Sequence, residues 1–204
     1  MGRKNHELTV STKVLVLIPI AVGINLLGGT LCSTLKLPLF LDMIGTILVA
    51  CLSGPWTAGA CGILTNLFLA VVANPIYLPY AVVSFLCGLV VGYLVKAGLF
   101  KSKFGIGLIW LACSLTNTIS ASLITIYVYG GASGVNSTSV ATVALLATTK
   151  QIFLSVMSTS MIENLVDKGI VFVIAYLIIN RIPQHFLNQY SPNLRTNSQR
   201  RKLL

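Results

Sequence analysis

Charge is scarce in this chain of 204 residues: only 9% are Asp, Glu, Lys or Arg, against about 25% in an ordinary soluble domain. The acids number four, Glu7, Asp42, Glu163 and Asp167. That poverty excludes a large aqueous domain and a charge-rich disordered one. No GxxxxGK[ST] occurs, so the phosphate-cradling loop needed to hydrolyse ATP is missing, and no HExxH occurs to hold a catalytic zinc. Neither histidine, His6 nor His185, falls within a long apolar run, which argues against a histidine-dependent hydrolase inside a membrane. The five cysteines, Cys32, Cys51, Cys61, Cys87 and Cys113, form no CxxC pair and keep no His cluster beside them; in or next to apolar runs they read as buried free thiols. Neither a metal nor a cofactor is called for, and the chain does not read as an enzyme.

What is abundant is apolar: 55% of the residues are hydrophobic, and the mean hydropathy is +0.89. Because a membrane-crossing helix needs about 20 mostly apolar residues, the length suits six or seven spans. We expect an all-α integral membrane protein of six transmembrane helices, at about 13–31, 38–54, 57–73, 78–96, 105–129 and 160–181. Pro38, Gly54-Pro55 and Asn74-Pro75 punctuate the pattern, since proline disfavours helix in the residue before it. Arg3, Lys4 and Lys13 ahead of the run from Val14 imitate a signal peptide, but the later spans make it a retained first helix.

The net charge of +10 does not point to nucleic acid, because the basic residues are segregated. Arg3, Lys4, Lys13, Lys96, Lys101, Lys103, Arg181, Arg195, Arg200, Arg201 and Lys202 fall on one side of a six-span fold, and Lys36 and Lys150 on the other. The positive-inside rule then makes both termini cytoplasmic, in a bacterial cell membrane crossed several times. Residues 1–12 are a cytoplasmic tail, 13–183 a membrane substrate-binding domain, and 184–204 a basic cytoplasmic tail. The segment 130–159 holds apolar runs at Val140–Leu146 and Ile152–Met157, separated by Thr148, Thr149, Lys150 and Gln151. We expect an outer loop carrying a short helix; a seventh span would carry the basic C-terminus outside, against the charge rule. Asn136-Ser137-Thr138 matches the glycosylation pattern but lacks a secretory context.

An ionisable group within a span is costly, so it is a functional candidate by default. Asp42, near the outer end of the second helix, either binds a substrate or caps the loop before it. Glu163 and Asp167 stand four apart on one helical face, where like charges repel unless a cation or donor lies between them. Either Lys36, Lys150 or Lys168 neutralises them to fasten the loops, or they hydrogen-bond a polar solute. Ser114, Thr118, Ser122, Thr125 and Tyr129 step along the fifth helix by four, four, three and four, with Asn117 alongside. That stripe is either interhelical glue or, in its outer half with Asn66, Tyr77 and Tyr80, a pocket wall; the tyrosines equally suit an interfacial belt. Ser84, Gly88 and Gly92, like Ala58, Gly62 and Asn66, are small-residue rows that read as helix packing, with docking to a partner subunit as the alternative.

The run Leu39-Phe40-Leu41-Asp42-Met43-Ile44-Gly45-Thr46, continuing through Gly54-Pro55-Trp56 to Gly62-Ile63-Leu64-Thr65-Asn66-Leu67, resembles the second and third helices of a known family. Glu163 with Asp167-Lys168, ahead of an apolar helix ending Arg181-Ile182-Pro183, resembles its last helix. The family is the substrate-binding S components of energy-coupling factor (ECF) vitamin transporters, and the resemblance covers residues 13 to 185. It implies a high-affinity binding protein that takes a water-soluble vitamin or precursor from outside, working with a transmembrane scaffold subunit and two ATPase subunits and toppling in the membrane to release it. The missing ATP-binding loop fits that division of labour. The resemblance also implies a small-residue docking surface on the first helix; here Ala21 is followed four later by Asn25, leaving Gly28 and Gly29 to supply it.

Binding residues in this family come from helices 4 to 6, which maps onto Tyr80, Asn117, Ser122, Glu163 and Lys168; Asp42 and Asn66 join them on their own chemistry. The loop near Lys36 and the 130–159 segment are positioned to close over a ligand. A mix of Tyr, Ser, Asn, Glu and Lys suits a neutral or zwitterionic ring, a vitamin B6 form first and a thiamine-precursor pyrimidine second. Two rivals stand beside this reading. One is a proton-coupled secondary transporter relaying through Asp42, Glu163 or Asp167, against which no inverted repeat is seen. The other is a membrane ligand sensor.

Overall fold

The computed structural model describes residues 12–135, 137–183, 185, 187 and 190. Both expected tails, apart from a few residues, and Asn136 of the glycosylation pattern lie outside the described residues. Among these, the chain is helical throughout: α1 (Thr12–Thr34), α2 (Ile44–Ser53), α3 (Pro55–Val72), α4 (Ala81–Lys96), α5 (Lys103–Tyr127), α6 (Thr138–Thr149) and α7 (Ile152–Arg181), with 3-10 turns at Pro75–Tyr77 and Leu99–Lys101. Val14–Thr34, Pro55–Val72 and Lys103–Tyr127 are long and apolar enough to cross a bilayer. The 30 residues of α7 also suffice in length, but they carry Glu163, Asp167 and Lys168.

At the centre stands α2, whose residues Ile44 to Leu52 are all buried. A helix apolar on every side belongs in a core, and α1, α3, α4 and α7 surround this one. At ten residues it is only about 15 Å long, and it begins six residues later than expected. The segment before it turns instead of winding. Pro38 offers no N–H, Leu41 takes a left-handed φ of 50°, and the amides of Phe40 and Leu41 are engaged by Asp167 rather than by a helical carbonyl.

The last helix departs the other way, starting at Ile152 instead of 160. Its early polar residues do not break it, because Ser155 Oγ donates to Gln151 O at 2.8 Å and Thr159 Oγ1 to Ser155 O at 2.9 Å. The break between α6 and α7 shrinks to Lys150, left-handed at φ 56°, and Gln151. The short helix expected within 130–159 is α6.

Small residues bring α3 and α4 together as the spacing predicts. A Cβ on Gly88 would meet Ala58 C at 2.7 Å and one on Gly62 would meet Ser84 O at 2.6 Å, while Gly92 backs directly on Pro55. The small face of α1 is spent the same way. Ala21 packs on Gly45, and a Cβ at Gly28 would strike the Leu41 carbonyl. Asn25, fully buried, donates to Thr46 Oγ1 and Thr65 Oγ1, both at 2.9 Å, and accepts from Gly45 N at 2.6 Å. Gly28 and Gly29 therefore face the bundle, and the outer surface of α1 is bulky: Leu15, Val16, Ile20, Leu27 and Leu31. All five cysteines are buried and free.

Candidate functional site

The turn before α2, the second half of α3, the first half of α4, the second half of α5 and the first half of α7 surround one cavity, with the loop leading into α6 beside them. Its void is about 740 Å³ counting the part open to solvent, of which about 70 Å³ is room for the centres of water-sized molecules. Asp42, Asn66, Tyr80, Asn117, Glu163 and Lys168 all line it. Ser122 does not: it is fully buried, and its hydroxyl finds no partner among the described residues. On the same stripe Thr118 is likewise unpartnered. Ser114, whose Oγ donates to Asn164 O at 3.3 Å, fastens α5 to α7, as does Trp110 Nε1 to Leu165 O at 3.1 Å.

An ion-pair cluster floors the cavity. Lys168 Nζ lies 2.6 Å from Asp167 Oδ2 and 3.8 Å from Asp42 Oδ1, with Lys168 only 1% exposed. Asp167 Oδ1 accepts the amides of Phe40 and Leu41, each at 2.9 Å. Desolvating these charges costs several kcal/mol per ion, and only such multiple pairing offsets it. Of the cations proposed from sequence to answer Asp167, Lys168 is the one found against it. Glu163 is held separately, its Oε1 accepting from Thr138 Oγ1 at 2.8 Å.

The walls are amides, hydroxyls and tyrosines. Asn66 Nδ2 donates to Gly62 O at 3.2 Å and Ser84 Oγ at 2.7 Å, and Asn164 Nδ2 donates to Ser160 O at 2.9 Å. Asn117 Nδ2 reaches only the soft acceptor Met43 Sδ at 3.8 Å. At the mouth Tyr80 OH and Thr125 Oγ1 share a hydrogen bond of 2.8 Å, and the Tyr80 ring stacks on Tyr129 at 5.9 Å between centroids. Tyr129 OH donates to Ile76 O at 2.9 Å. These tyrosines are therefore wall and rim, anchored to the protein. Ser137 Oγ donates to Lys36 O at 3.0 Å, joining the two loops expected to approach a ligand.

Sequence reasoning missed Ser84, Asn164 and Thr138. Asn164 had a legible signal, since Ser160, Asn164 and Lys168 repeat every four residues beside Glu163 and Asp167 and so share the inward face. Thr138 had none, because α6 reaches α7 only through tertiary packing.

An all-helical, apolar bundle enclosing a polar cavity with a charged floor defines a membrane protein that selects a small solute. The chain belongs to the substrate-specific components of ECF transporters, whose family model matches residues 13–179. It is thus a membrane subunit of a transporter, and the substrate-recognising one. No curated protein gives a significant match to the chain, and no solved structure does.

Proposed function

We propose that this chain is the high-affinity binding subunit for uptake of a small water-soluble vitamin or precursor, vitamin B6 forms foremost, energised by a separate scaffold subunit and two ATPase subunits. In this reading α1, α2 together with the turn before it, α3, α4, α5 and α7 make six crossings of the bacterial cell membrane, both termini are cytoplasmic, and the cavity opens outward. The segregated basic residues support that orientation, and the missing ATP-binding loop supports the dependence on partner ATPases. Asp42, Asn66, Tyr80, Asn117, Glu163 and Lys168 contact the substrate, while Ser122 stands behind the wall.

The observation that carries this reading is the cavity itself. Polar side chains converge on it inside an otherwise apolar bundle, the arrangement by which small-molecule sites orient a ligand. Mass spectrometry of small molecules released from gently purified protein tests it: a vitamin-sized compound in near-equal amount to protein is the expected result. An empty protein that also shows no thermal shift across a vitamin panel would turn the reading down.

A further inference from the structure

Asn66 of α3 and Asn164 of α7 are 1% and 2% exposed, both line the cavity, and the Oδ1 of each has no partner among the described residues. The orientation of each amide is fixed by its other end. Asn66 Nδ2 donates to Gly62 O at 3.2 Å and Asn164 Nδ2 to Ser160 O at 2.9 Å, and a carbonyl can only accept. Turning either amide over would set oxygen against oxygen. What each side chain offers to a neighbour is therefore an acceptor, and a buried acceptor costs free energy until a donor reaches it.

The two acceptors stand on different walls, because α3 packs on α1, α2 and α4, whereas α7 packs on α2, α5 and α6. Neither oxygen fastens its helix to a neighbour. The bonds that do so run through other atoms: Asn66 Nδ2 to Ser84 Oγ joins α3 to α4, and Ser114 Oγ to Asn164 O joins α5 to α7. Helix packing alone would be served as well by leucine at both positions, without the cost of burying an amide. The two oxygens answer instead to what enters the cavity.

We propose that Asn66 and Asn164 determine specificity, and that the substrate is a small solute carrying hydroxyl or amino groups at two separate edges, one donating to Asn66 Oδ1 and the other to Asn164 Oδ1. This rests on the binding role proposed above and names the edge groups that role requires. A carboxylate or phosphate brought to either wall has no proton to give and sets oxygen against oxygen, so it is rejected there. A site built to bond a donor also turns away the analogue that lacks it, because its own buried group is then left unpaired.

The test titrates the full chain in detergent with pyridoxine and the thiamine-precursor aminopyrimidine, beside the compound released on purification. Each probe has a donor-deleted partner that adds no bulk: deoxypyridoxine, with one hydroxymethyl group reduced to methyl, and the pyrimidine without its amino group. The expected binder carries at least two O–H or N–H groups, and Asn66→Leu and Asn164→Leu each lower its affinity about tenfold. Where a probe binds, its donor-deleted partner binds at least about tenfold more weakly. An unchanged melting midpoint without ligand shows that each variant folds, and alanine takes the place of a leucine that lowers it. A binder with fewer than two donors overturns the inference while leaving the binding role intact, and so does a donor-deleted partner as tight as its probe. Unchanged affinity in either variant overturns it too, since that oxygen is then satisfied without the substrate. No released compound and no binding by any probe overturns both readings together.

Discussion

Lys168 Nζ sits 2.6 Å from the carboxylate of Asp167, its own neighbour in the chain. Adjacent residues on a helix project about 100° apart, so the lysine must bend toward a carboxylate that also holds the Phe40 and Leu41 amides. The pair thus welds α7 to the turn before α2. Lys168→Met leaves Asp167 and Asp42 buried without their cation and should destabilise the protein by about 3–5 kcal/mol. Asp167→Asn, which keeps an acceptor for the two amides, should cost less than Asp167→Ala. Denaturation in detergent measures all three; a Lys168→Met protein as stable as the parent would remove the pair from the scaffold.

Asn25 joins three helices through one side chain, with three hydrogen bonds to Gly45, Thr46 and Thr65. Side-chain hydrogen bonds in membranes average about 0.6 kcal/mol each, so Asn25→Leu should cost roughly 2 kcal/mol, before the volume mismatch is added. Its thermal midpoint is the readout, and a change in ligand affinity without loss of stability would contradict a purely structural role.

Glycine replacements separate packing from mere smallness. Gly62→Ala and Gly88→Ala drive a methyl into opposing backbone at 2.6 and 2.7 Å and should lose about 1–3 kcal/mol by overpacking. Gly107, in α5, has nothing within 4 Å of a Cβ; Gly107→Ala should be neutral or stabilising by up to about 1 kcal/mol. Equal effects at all three positions would show that α3 and α4 are not in close contact.

Binding should divide along the cavity wall. Asn117→Ala removes a lining amide whose internal partner is only a thioether and should weaken the ligand several-fold while the fold survives. Ser122→Ala removes a hydroxyl that lines nothing and bonds nothing among the described residues, so affinity should be unchanged and stability unchanged or raised. Isothermal titration with the released compound decides; the opposite order would move the site further along α5.

The spans and the small-residue rows were legible because they are set by composition and by spacing along one helix. Gly88 and Gly62 announce close packing whatever lies opposite. The candidate residues on α3, α4, α5 and α7 were legible for the same reason, a polar side chain in an apolar run being costly wherever it falls. What the residues withheld depends on partners distant in the chain. The late start of α2 hangs on Asp167, more than a hundred residues away. The row of Ser114, Thr118 and Ser122 looks continuous with Thr125, yet only the last lines the cavity. The inward turn of Gly28 and Gly29 could not be told from an outward one without knowing where Leu41 and Leu69 lie.

Because Asp42 precedes α2 and Lys168 belongs to α7, the cavity floor is sewn from segments more than a hundred residues apart. As the ribosome delivers the helices in order, the early ones await the counter-ion that comes only with α7. A chain halted before α7 leaves Asp42 with a negative charge and without the Lys168 that answers it. A cavity with a neutralised floor therefore forms only once α7 has been made.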